Sequence, residues 1–480
     1  MRAMSLGRIG AGDGGRLRDV LGVAAVAALG TALLAGLVVQ LGIVGLAIPL
    51  AAGAALVLLR HPAWCLGLYA GLIILAEKRP GSALPGSWVY AEGPAGVSVA
   101  VLALLLFAAA ALLGARGQHR SASLYPGVAA ATGLLVCGLG VGSVTAAYAG
   151  VGITDLYDNV IGLLPLLILP LAVHMTVHTA RRLRIALAVV AGLVVFKATI
   201  GVVAVLGGLS TPDEGLGSSV SGTRLTYYEP TVNWLSLAVL LVGFAAILRR
   251  VALPRWVLLA LPIVAASLVL SYRRSFWIAT ILGVAMVALF GASRLQRRLA
   301  IPAVALAAAA IWVTFTLGGV TGQLSGPVVE RAESLTPAKV VANREDRYRL
   351  DERANVIEAI RAHPITGLGV GVPWVAVHPL PIENGRQYVH FALLWFWLKF
   401  GVLGALAYVC FVASGVAASV AASRGQVDPL LSCVALGMVG AFLGLALAET
   451  TAAFVGPDVR LSAVFAGALG LVSRLRVLDD

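Results

Sequence analysis

Apolar residues along this chain run together in long blocks, divided by short polar or basic segments, instead of alternating with polar ones. A bilayer core about 30 Å thick takes about 20 apolar residues per helix. On that ruler, spans are predicted near 20–38, 41–59, 62–76, 96–114, 125–143, 160–178, 183–208, 231–248, 253–271, 275–291, 298–316, 390–418, 428–448 and 457–473. The pattern describes an all-α, polytopic integral membrane protein with about 12–14 transmembrane helices. The short third block and the arginine-interrupted stretch 256–291 account for the spread. The chain divides into a cytoplasmic amino-terminal segment (1–19), a bundle of about 11 helices (20–316), a long exoplasmic loop with an amphipathic helix (317–389), carboxy-terminal helices (390–473) and a cytoplasmic tail (474–480).

Composition supports this division. Of 480 residues, 60% are hydrophobic and 12% charged, more hydrocarbon than a water-soluble domain hides. The net charge of +13 reports orientation rather than nucleic acid, because Lys and Arg gather on cytoplasmic segments of membrane proteins. With the amino terminus inside, nineteen Lys and Arg fall on cytoplasmic segments and six on short outer ones, while the loop 317–389 carries eight basic and eight acidic residues. The basic amino terminus leads into a hydrophobic run too long for a cleaved signal and is expected to stay as an anchor. Cys65, Cys137, Cys410 and Cys433 lie in or beside apolar blocks with no CxxC spacing, which argues against a disulfide framework or a zinc site.

Three outer segments carry the candidate chemistry. A Gly-rich stretch, 210–230, ends in Thr223-Arg224-Leu225-Thr226-Tyr227-Tyr228-Glu229-Pro230. The junction Leu270-Ser271-Tyr272-Arg273-Arg274-Ser275-Phe276-Trp277 sets two guanidiniums between apolar blocks. The loop holds an amphipathic helix near Arg344 to His363, with Leu350, Ala354, Ile357 and Ile360 on one face, then Thr366-Gly367-Leu368-Gly369-Val370-Gly371, a tight turn without the strand-turn-helix context of a phosphate cradle. Lys197 and Lys399 are intramembrane cations that need a partner or a cavity; Glu449 is a candidate partner for Lys399. His378 and His390 lack metal-ligand spacing. Taken singly, outer arginines at helix ends snorkel to headgroups and an interfacial histidine is satisfied by backbone.

Taken together they suggest a reaction. Arginine binds phosphate bidentately and stays charged, so Arg224, Arg273 and Arg274 suit a lipid-linked diphosphate. An acceptor hydroxyl must lose a proton as it attacks, and histidine is the side chain whose ordinary titration range serves that near neutrality; His390 is the candidate base. A lipid or ion transporter, or a noncatalytic scaffold for envelope assembly, are the readings from other classes.

The ordered set, Arg224 before Glu229-Pro230-Thr231-Val232-Asn233, the Ser271-to-Trp277 junction, the loop helix running into His363-Pro364-Ile365-Thr366-Gly367-Leu368-Gly369, and His390 followed by Gly401 and Gly404, resembles the O-antigen ligase/polymerase superfamily over about residues 220–420. The resemblance implies a GT-C-like glycosyltransferase that moves a glycan from a polyprenyl diphosphate to a glycan or lipid acceptor, inverting the anomeric centre without metal, cofactor or nucleic acid. It implies a multi-pass protein of the bacterial plasma membrane with an exoplasmic site. By position Arg224 and Arg274 match the family's phosphate-binding arginines and His390 its loop histidine, with Arg273, Glu229, Lys399 and Glu449 as supporting candidates. The chain departs from the family where His390 is followed by Phe391 instead of Asn, where Arg273 replaces Ser, and where Lys399 replaces a position that is often acidic. Ligase and polymerase differ only in acceptor, and both remain open.

Overall fold

The computed structural model describes residues 47–76, 87–90, 97–115, 123–206, 230–271, 273–291, 344–380 and 388–478. Arg224, Glu229 and the predicted spans near 20–38 and 298–316 lie outside the described residues. The chain forms two units, residues 1–61 and 62–480. In the first, α1 is Ala47–Arg60. The second holds α2 (Pro62–Leu75), α3 (Ser87–Tyr90), α4 (Val99–Ala115), α5 (Pro126–Tyr148), α6 (Ile153–Val160), α7 (Leu164–Thr176), α8 (Ala180–Leu206), α9 (Pro230–Arg249), α10 (Arg255–Leu270), α11 (Arg274–Gly291), α12 (Arg344–Ala362), α13 (Ala392–Gly425), α14 (Pro429–Ala448) and α15 (Val459–Leu475). Among the described residues there is no strand, and seven helical segments are long and apolar enough to cross a membrane. The protein is an all-helical, polytopic membrane protein.

Helices in lipid gain little from hydrophobic burial against each other, so close backbone approach and dispersion hold them together. In α9, α11 and α14 small residues permit that approach: a Cβ on Gly440 would sit 2.6 Å from the carbonyl of Gly283. Trp234 of α9 adds a buried hydrogen bond from Nε1 to the Ala441 carbonyl, 2.8 Å. Its ring meets Phe442 of α14 and Phe465 of α15, each at 6.0 Å between centroids. Lys197, 1% exposed, donates to the Leu75 carbonyl at 3.0 Å, satisfying an orphan acceptor at the end of α2.

The block predicted at 390–418 is a single 34-residue element broken at Gly401, whose φ of 64° and ψ of −160° leave the helix. That backbone region is essentially reserved for glycine, and a Cβ there would meet the Ile365 carbonyl. The Gly-rich turn fills the break. Leu368 N–H donates to the Leu398 carbonyl at 2.7 Å, Val402 N–H donates to the Ile365 carbonyl at 3.1 Å, and Val370 N–H donates to Gly142 of α5 at 3.1 Å. The backbone groups freed by the break are thereby satisfied inside the protein, the condition for irregular backbone at membrane depth.

Chain direction places the α13–α14 connection at one end of the second unit. There Arg184 pairs with Asp428, Arg249 donates to Ser432 at 2.5 Å, Arg474 donates to the His178 carbonyl at 3.0 Å, and Arg476 lies over the Tyr125 ring. The opposite end holds α12, residues 388–391 and the α14–α15 connection, tied by the Ala392 N–H to Glu449 carbonyl bond of 3.0 Å and the Tyr388 hydroxyl to Ala453 carbonyl bond of 2.6 Å.

The apolar stripe of α12 is not the side the helix buries. Ile360 is buried, but Leu350 is 51% exposed, Ala354 is exposed and Ile357 is only half-buried. The buried residues of α12 are Asp346, Tyr348, Glu352, Asn355, Val356 and Ile360. The side that turns inward is the one whose polar groups bond neighbouring elements, Glu352 to His390 and Asn355 to Val377 and His378, while Leu350 and Ala354 share the outer side with Arg347, Glu358 and Arg361.

Candidate functional site

Helix α12 organises the site by engaging two elements with two carboxylates. Asp346, near its start, receives Nη2 of Arg274 at 2.6 and 2.7 Å on its two oxygens, and both side chains are about nine-tenths buried. Arg349 approaches the same carboxylate at 3.9 Å. Arg274 opens α11, directly after the bend closed by Ser271, whose hydroxyl donates to the Leu268 carbonyl and accepts from the Arg273 N–H. Ser271 thus turns the chain so that consecutive arginines begin the next helix at this end.

Glu352 lies six residues further along, about 9 Å by helical rise. Its side chain is 2% exposed, whereas that of His390 is 19% exposed. Burying a carboxylate costs several kcal/mol unless donors surround it, and here they do. The Tyr348 hydroxyl donates to Oε1 at 3.2 Å, the His390 backbone N–H donates to Oε2 at 2.8 Å, and His390 Nδ1 lies 3.1 and 3.0 Å from Oε1 and Oε2. The rings of Tyr388 and Tyr348 meet the imidazole nearly edge-on, at 4.9 and 5.8 Å between centroids. Burial pushes the Tyr388 phenol well above its ordinary range, reinforced by Glu449 and Glu352 and opposed by Arg349 and Arg273; it therefore serves as a neutral donor.

Other contacts hold the loop in place. Asn355 accepts the N–H groups of Val377 and His378 at 2.6 and 2.7 Å and donates to the His378 carbonyl at 3.1 Å. Arg353 donates to the Thr450 carbonyl at 3.2 Å and lies 4.9 Å over the ring of Phe391.

The structure thus joins Arg274 and His390 through one helix. It separates Lys399 from Glu449. Lys399, fully buried, donates to the Val372 carbonyl at 2.7 Å, whereas Glu449 accepts from Phe454 and Val455, each at 3.1 Å. Each is committed to loop backbone, so the pairing suggested by sequence does not form. Asp346, Tyr348, Glu352 and Tyr388 were missed. The available signal was the i, i+4, i+7 spacing of Tyr348, Glu352 and Asn355, a second stripe on a helix read only for its apolar one. Among the described residues no three His, Cys, Asp or Glu side chains cluster as a metal site requires.

Comparison with known families matches residues 257–409 to the O-antigen ligase family model. The resemblance seen in the motifs holds over this stretch, which runs from α10 to the middle of α13 and includes Arg273, Arg274, Glu352, His390 and Lys399. Comparison with curated proteins gives no match.

Proposed function

We propose that this protein is a membrane glycosyltransferase of the O-antigen ligase/polymerase type. It moves a glycan from a polyprenyl-diphosphate-linked donor to a cell-surface glycan or lipid acceptor, on the exoplasmic side of the bacterial plasma membrane, with inversion. The observation that carries the reading is the convergence on α12 of Arg274, through Asp346, and His390, through Glu352. The two carboxylates that hold the fork and the base lie six residues apart on α12, about 9 Å of helical rise, so both groups are tied to one rigid element.

His390 accepts the acceptor hydroxyl's proton, and Arg274, joined by Arg224, neutralises the charge that gathers on the departing diphosphate. Arg273 adds to the positive potential, and Lys399 and Glu449 hold loop backbone around the site, with Glu229 a supporting candidate by its position in the sequence. The arginines do the work a cation would otherwise do, so a chelator is expected to leave the rate unchanged.

The test is glycan transfer by purified protein in nanodiscs, with donor binding followed separately. His390→Ala is expected to slow turnover by about 10² to 10⁴ while leaving donor affinity nearly intact, because a general base acts on the transition state. Wild-type turnover in His390→Ala removes His390 as the base. Wild-type protein that binds donor without cleaving it in the presence of any acceptor supports a transporter or scaffold instead.

A further inference from the structure

We propose that Glu352 is the positioning residue that fixes His390 as a base acting through Nε2. This rests on the reading of His390 as the proton acceptor. An imidazole can serve as a base only through the nitrogen that carries no proton, and the hydrogen bond made by the other nitrogen decides which one that is. Here Nδ1 lies against a buried carboxylate that has only acceptors to offer. Nδ1 therefore holds the hydrogen, and Nε2, across the ring, holds the lone pair.

The same carboxylate takes the backbone N–H of His390 at 2.8 Å, so it fixes the residue at two points and sets the ring's orientation along with its tautomer. The Tyr348 hydroxyl occupies Oε1, and the Tyr348 and Tyr388 rings crowd the imidazole edge-on. Among the described residues nothing bonds Nε2. The side chain that follows the histidine is Phe391, whose ring lies beneath Arg353 and has no amide to offer. The orienting group comes instead from another element, α12.

In the step this geometry supports, the acceptor oxygen bonds to the anomeric carbon as its proton passes to Nε2. The bond from that carbon to the diphosphate oxygen breaks, and its electron pair leaves with the polyprenyl diphosphate. Glu352 takes no proton. It remains a carboxylate against the new imidazolium and stabilises it, as the buried carboxylate does in a Ser-His-Asp triad.

Steady-state transfer with separate donor binding tests this. Glu352→Gln is expected to lower kcat by roughly 10- to 1,000-fold, with donor affinity and donor KM unchanged, and Glu352→Asp to recover part of the loss. In a His390→Ala background, Glu352→Gln should cause no further loss, because nothing remains to position. Equal losses with and without His390, or a loss confined to donor binding, would show a structural role and overturn the proposal. Should Glu352→Gln not accumulate as folded protein, Tyr348→Phe keeps the ring and removes the hydroxyl from Oε1. It should lower kcat about 2- to 10-fold only when His390 is present, and an unchanged kcat there also overturns the proposal. If His390→Ala transfers glycan normally, the reading beneath has failed; if His390→Ala is slow and Glu352→Gln is normal, only the role of Glu352 has.

Discussion

Arg274 meets any incoming anion already paired. Its guanidinium is held by both oxygens of Asp346, with each side chain about 10% exposed. Such a pair preorganises the fork, but a diphosphate must share it with a resident negative charge or displace that charge. Arg274→Ala is therefore expected to weaken donor binding by roughly 1.5 to 3 kcal/mol, the scale of a charge-assisted hydrogen bond, and Arg274→Lys to recover only part of this because the planar fork is lost. Arg274→Ala also strands a buried carboxylate, which destabilises the fold by its own route. Arg274→Ala with Asp346→Asn separates the two effects: thermal stability should return while donor binding stays weak. Asp346→Asn alone keeps an acceptor of the same shape without the charge, so donor affinity should rise. A fall would mean that Asp346 serves to aim Arg274 and does not compete for it. Titration of each nanodisc-embedded variant with lipid-linked donor reads all of these outcomes.

At the scale of elements, α13 depends on one residue. Gly401→Ala would place a Cβ against the Ile365 carbonyl and force an L side chain into a φ of 64° with ψ of −160°. The strain is of order 1–3 kcal/mol before any clash is counted. The same change would also displace the turn at Leu368, which carries the chain from α12 back into the bundle. A lowered melting temperature with loss of transfer is expected; a variant of wild-type stability would mean the break relaxes into continuous helix. The break also shows where sequence reading stops. Long apolar blocks such as 231–248 and 428–448 became α9 and α14 within two residues of their forecast ends, because burial in lipid demands uninterrupted hydrocarbon over a fixed length. Hydrophobicity does not see a left-handed glycine inside an equally apolar run. His390 and Arg274 stood out as polar groups at the rims of such runs. Asp346 and Glu352 did not, because on a helix rich in both signs of charge no single carboxylate is distinguished, and their significance lies in contacts 72 and 38 residues away in sequence.

For the molecule as a whole, the two ends of the second unit differ in the kind of charge they hold. One end gathers Arg184, Arg249, Arg474 and Arg476 around the α13–α14 connection, all assigned to the cytoplasm by the count of Lys and Arg. The other holds arginines matched by carboxylates on α12, together with His390. Lys and Arg on short segments beside membrane spans resist export across the membrane, so the first end is expected to stay inside. Val375 and Val427, 70% and 77% exposed, mark the two ends and belong to neither the Arg274 nor the His390 constellation. With Cys65, Cys137, Cys410 and Cys433 replaced, Val375→Cys should react with a membrane-impermeant maleimide in intact cells, and Val427→Cys only after permeabilisation. Glycan transfer by the cysteine-free parent confirms that the background folds. Labelling of both positions from the same side would contradict the opposed ends. Reversed labelling would place the His390 end in the cytoplasm and remove the basis for exoplasmic transfer from a lipid-linked donor. Labelling as expected would set Arg274 and His390 on the face where an exported glycan waits on its diphosphate, with the basic end anchored against the anionic inner leaflet.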